Sequence, residues 1–134
     1  MPYKFLSHTA DIKFQVWGNT LSQVFSEVTK AISEIYGKGE KIEHRKKKKI
    51  VAEGKDKESL LYNFIDEIIF LFDAESFVVS KADVRVVGNK LRGFLFGDDT
   101  KNYNGLEHIK APTYAEMFIE KKGKDWKIQA VVDV

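Results

Sequence analysis

At 134 residues, with 43% hydrophobic and 31% charged residues, the chain can bury one core and is too apolar to stay disordered. The absence of cysteine excludes a disulfide scaffold, thiolate zinc sites and cysteine nucleophiles, and fits a reducing cytoplasm. The net charge of +2 is too slight to argue for nucleic acid, and no secretion signal or membrane-spanning apolar run is visible.

The first strand pattern opens at Asp11, where Ile12, Phe14 and Val16 alternate with Lys13 and Gln15. Gly18-Asn19 turns the chain into an amphipathic helix carrying Leu21, Val24, Phe25, Val28, Ile32 and Ile35. Thr20 and Gln23 are spaced as a capping box, and Gly37 and Gly39 mark the helix end. A second helix follows, with Asp56 as N-cap and a wide stripe of Leu60, Leu61, Phe64, Ile65, Ile68, Ile69 and Phe72. Between the helices, Arg45 to Lys49 form a basic run leading into Ile50-Val51-Ala52. It reads either as a phosphate-binding patch for RNA or as a solvated loop and strand. The second reading is favoured, because no aromatic residue interleaves the run to stack bases.

The second half is β-rich. Phe77, Val78 and Val79 lead into Val84 and Val86, Gly88-Asn89 is a hairpin turn, and residues 91–96 return. Residues 97–105 form a polar loop, with Asp98-Asp99 most simply a solvated turn. A final hairpin joins residues 113–120 to 126–134 around Lys122-Gly123-Lys124-Asp125. The expected architecture is one α+β domain over residues 1–134, a two-layer sandwich with two amphipathic helices on one face of a mainly antiparallel, mixed sheet.

Phosphate-loop, dinucleotide-binding and nucleophile-elbow motifs are absent, and His8, His44 and His108 do not form a helical zinc pair. What remains are polar residues near strand ends: Asp11, Lys110 and Asp133. Asp133 also lies beside the α-carboxylate of Val134, giving two hard oxygen donors suited to a cation. Each of these residues taken singly is ordinary on a protein surface.

Together they resemble the signature of a known family. His8-Thr9-Ala10-Asp11-Ile12 is similar to the N-terminal motif of the archeases, and Lys110-Ala111-Pro112-Thr113-Tyr114 resembles their Lys-Ala-x-Thr-Tyr motif. Trp126 and the Asp133-Val134 ending, and the helix from Glu58 to Glu67, resemble the same family. The chain departs from the pattern at Ala115, where members often carry histidine, and at Pro112.

The resemblance implies an accessory protein that activates the RtcB-type RNA-splicing ligase. It promotes guanylylation of the ligase by GTP, and so multiple turnover in tRNA splicing and RNA repair. It implies a divalent-cation site, with calcium as the ion, formed by Asp11, Asp133 and Val134, and it makes Lys110 critical for activation. The partner would be the ligase, RNA would be met only indirectly, and the protein would not itself be an enzyme. The alternatives are an RNA-binding module using residues 45–49 and a stand-alone metal-dependent hydrolase. The latter lacks a general base beyond the proposed ligands.

Overall fold

The computed structural model describes residues 2–6 and 11–134. In chain order its elements are β1 (Tyr3–Leu6), β2 (Asp11–Gly18), α1 (Leu21–Gly37), β3 (Lys46–Glu53) and α2 (Lys57–Glu75). Then come β4 (Phe77–Val87), β5 (Lys90–Asp99), a 3-10 turn (Thr100–Asn102), β6 (Ala111–Lys122) and β7 (Asp125–Asp133). The α+β architecture with antiparallel strands and two helices is as the sequence predicts.

The strands divide, however, into two sheets. One has the order β1-β2-β7-β6 and the other β3-β5-β4, with every pairing antiparallel. Both helices touch both sheets: α1 packs on β2 and β4, and α2 on β3 and β6. The sequence of α1 explains how one helix serves two sheets. Val24, Phe25, Val28, Ala31, Ile32 and Ile35 form one apolar stripe, and the additional burial of Glu27, Thr29 and Tyr36 on its two flanks widens the covered arc beyond it. In α2, Leu60, Leu61, Phe64 and Ile65 are fully buried, each stabilising by about 1.5–3 kcal/mol relative to exposure.

Local signals set the boundaries. The Thr20 hydroxyl accepts from the Gln23 N–H at 3.0 Å, while the Gln23 side chain accepts from the Asn19 N–H at 2.8 Å. Asp56 accepts from the Ser59 N–H at 2.8 Å, capping α2. At the end of α1, Gly37 is still helical and Lys38 takes the left-handed conformation, with φ 50°. Gly88 and Gly123, both at φ 61°, open the two-residue hairpin turns.

Two irregularities shape the sheets. β4 carries a bulge at Ser80, whose hydroxyl donates to the Phe96 carbonyl at 2.9 Å. In β6 the ladder breaks between Thr113 and Phe118, and Glu116 adopts φ 54°. Gln129 donates to the Glu116 carbonyl at 2.7 Å and accepts from Gln15 at 2.8 Å. The interrupted stretch of β6 is thereby tied to the β2–β7 pair.

Candidate functional site at the paired strand ends

The start of β2 meets the end of β7. Asp11 is the direct cross-strand partner of Asp133, and on the other side of β7 Ala111 is also in register with Asp133. The Lys110 N–H donates to the Asp133 carbonyl at 2.7 Å. Residues that the sequence separates by the length of the chain, Asp11, Lys110, Asp133 and Val134, therefore gather at one end of the four-stranded sheet.

Strand alternation fixes which way the acids face. Phe14 and Val16 on β2, and Ile128, Ala130 and Val132 on β7, are fully buried toward the helices. Asp11 and Asp133 have the opposite parity and lie on the other face, half-buried. Val134 returns to the core side, where it packs against the hydrophobic cluster and anchors the end of the strand. Lys110 is exposed, next to the fully buried Ile109.

Directly opposed residues on antiparallel strands hold their Cβ atoms about 4.5–5.5 Å apart, so two carboxylates there repel one another. No hydrogen bond or salt bridge from the described residues reaches the Asp133 carboxylate. The pair offers hard oxygen donors suited to a divalent cation. Among the described residues no three His, Cys, Asp or Glu side chains cluster as a metal site. A cation here therefore needs oxygen donors beyond these two side chains.

His8, Thr9 and Ala10 of the N-terminal motif lie outside the described residues. His108 does not join the acids; its Nε2 lies 3.2 Å from Asp73 Oδ1 on α2.

A second carboxylate cluster corrects the sequence reading. Asp98 is not a solvated turn residue: β5 continues to Asp99, and Asp98 is 1% exposed. Its Oδ2 accepts from the Tyr103 hydroxyl at 2.7 Å and from Arg45. Its Oδ1 accepts from the Asp99 N–H at 2.8 Å and from Asn102 at 3.0 Å. Tyr103 in turn accepts from the Glu43 N–H at 2.8 Å. Burial pushes the Asp98 carboxyl up, but these four donors outweigh it and hold the pKa down to about 2. Three of its donors lie within five residues, but Arg45, 53 positions away, joins them only in the folded chain.

The basic run is divided by the same alternation. Arg45 serves Asp98, Lys46 lies 3.3 Å from Asp99, and Lys48 lies 2.7 Å from Glu75. Residues 45–49 therefore do not form one continuous cationic patch.

Comparison of the whole chain with known proteins identifies a family. The model of the archease protein family (MTH1598/TM1083) matches residues 3–134. Protein archease of Pyrobaculum neutrophilum is 34% identical over 140 residues, covering 98% of this chain and 95% of that protein. Protein archease of Pyrococcus abyssi is 33% identical over 140 residues, covering 98% of each. In fold, the chain is similar to the solution structure of Methanobacterium thermoautotrophicum protein 1598, with a TM-score of 0.79 at 24% identity and 99% coverage of both chains. It is also similar to a crystal structure from Thermotoga maritima described as an archease and possible chaperone. There the TM-score is 0.68 at 22% identity, over 98% of this chain and 96% of that one. The chain belongs to the archease family.

Proposed function

We propose that this protein is an accessory activator of the GTP-dependent RNA-splicing ligase in tRNA splicing and RNA repair. In this reading it works through a divalent-cation site at the strand-end tip and performs no catalysis of its own. Asp11 and Asp133 hold the ion, calcium, together with a carboxyl oxygen of Val134. The observation that carries the reading is the direct cross-strand register of Asp11 with Asp133, with Lys110 hydrogen-bonded to the same residue.

Guanylylation moves a highly charged phosphate group, and a bound cation supplies positive charge where negative charge develops. The chain's own residues place that charge. Asp11 and Asp133 sit on neighbouring strands whose ladder fixes their separation. The backbone of Lys110 is fixed to β7, so its ammonium group works from a defined root beside the acids. Cytoplasmic action fits this role, and no described helix is long and apolar enough to cross a membrane.

The test is ligase guanylylation and multiple-turnover ligation with and without the protein. Asp11→Ala, Lys110→Ala and Asp133→Ala should each remove the stimulation while circular dichroism shows an intact fold. Full stimulation by all three variants would overturn the tip as the working site.

A further inference from the structure

The three-stranded sheet buries one face against the helices and leaves the other open. Along β5 the buried Leu91 and Leu95 alternate with exposed Lys90, Arg92 and Phe94, followed by the half-buried Phe96. Register pairing adds Lys47, Lys49 and Val51 from β3, and Lys81, Arg85 and Val87 from β4, to the same outer face. The face thus carries six cations (Lys47, Lys49, Lys81, Arg85, Lys90 and Arg92) against two acids, Glu53 and Asp83. Among the described residues none of the six is in a salt bridge, in contrast to Arg45, Lys46 and Lys48.

The central strand also supplies the aromatic surface that the basic run itself lacks. Phe94 is 40% exposed, with the Lys47 Nζ 4.2 Å from its ring centroid. Lys81 lies 5.6 Å from the ring of Phe96. Beside Phe94 an open depression of about 550 Å³ is lined by Lys49, Asp83, Arg85 and Arg92, a size that admits a small ligand such as a nucleotide.

We propose that this outer face binds a single-stranded nucleic acid, with bases stacking on Phe94 and Phe96 and phosphates meeting the surrounding lysines and arginines. Three features select this occupant over an acidic protein. The excess of cations suits a polyanion. A flat aromatic side chain on a central strand stacks unpaired bases of any identity. Alternate residues along a strand lie about 7 Å apart, a repeat comparable to that of phosphates along an extended single strand. The lysine over each ring holds the place a stacked base would take, so a base displaces the ammonium to the ring's margin, where it meets the adjoining phosphate.

The proposal is independent of the tip. Its test is fluorescence anisotropy of the full chain with a labelled oligouridine RNA of about 12 nucleotides, within the footprint of a small binding domain. The same RNA in a duplex, and polyglutamate, serve as competitors. The single strand should bind with steep salt dependence and be displaced poorly by either competitor. The double variant Lys49→Ala/Arg92→Ala should lower the salt slope by about 1.4, from two lost phosphate contacts. Phe94→Ala should weaken binding about tenfold with the slope unchanged, and Phe94→Trp should restore it. Thermal unfolding checks each fold.

Absent binding, equal displacement by polyglutamate, or an unaffected Phe94→Ala variant would each overturn the proposal. Asp11→Ala and Asp133→Ala should leave RNA affinity unchanged. Loss of ligase stimulation and loss of RNA binding are therefore separable.

Discussion

Two carboxylate centres in this molecule follow opposite logics. Asp98 is almost inaccessible yet surrounded by donors: a phenol, a guanidinium, an amide side chain and a backbone N–H all converge on it. Asp11 and Asp133 face one another across a ladder that sets acid against acid. The first arrangement uses its charge inside the protein, bracing the end of β5 against the segment that precedes β3. The second sets like charges side by side on a half-buried sheet face, the arrangement on which the proposed cation site rests. The more buried acid is the one whose hydrogen bonds are all met within the protein.

That contrast can be broken experimentally, beginning at the buried acid, where the change should be greatest. Asp98→Ala strands Tyr103 and Asn102 without their acceptor and should cost about 3 kcal/mol in urea denaturation. Calcium binding should survive. Loss of calcium binding in this variant would show that the two centres are coupled.

Calcium itself should stabilise the wild-type protein by about 2 kcal/mol at about thirty times its Kd. The gain should vanish in Asp133→Asn, measured as the shift of thermal midpoint on adding the ion. Acid titration probes the buried centre. The folded protein holds Asp98 ionised down to about pH 2, whereas the unfolded chain takes up a proton below about pH 4. The stability contributed by Asp98 is therefore complete above about pH 4 and lost as the pH falls toward 2. Asp98→Asn should flatten this part of the stability profile.

The mildest change concerns the tip without metal. Asp133→Asn should stabilise the cation-free protein by a few tenths of a kcal/mol, because it removes a cross-strand repulsion. Destabilisation would mean that the carboxylate has a structural role after all.

What the sequence made legible was local. Thr20 and Asp56 announce helix starts because a cap and its partner lie three residues apart, and Gly88-Asn89 turns a hairpin by its own conformational preference. The candidate tip was legible only through its resemblance to a family, since no spacing rule places Asp11 opposite Asp133. Asp98 was misread because a run of polar turn-forming residues looks solvated, while the Arg45 side chain that helps cover it comes from the segment before β3. Phe94 was missed as a companion to the basic run for a similar reason. Lys47 and Phe94 belong to different strands, and only strand pairing brings ring and ammonium together. The division into two sheets was likewise invisible, because strand patterns record which face is buried and not which neighbour shares the ladder.

The β2–β7 pairing also has a consequence for how the protein is made. Gln15 and Gln129, bonded across it, are 114 residues apart in sequence. Contacts of such long range close late and slowly, after the hairpins and helices between them have formed. During synthesis the three-stranded sheet and both helices emerge before β7, so the tip is assembled last. The pairing of Asp11 with Asp133 is therefore a late mark of folding, present only once the β2–β7 ladder has closed.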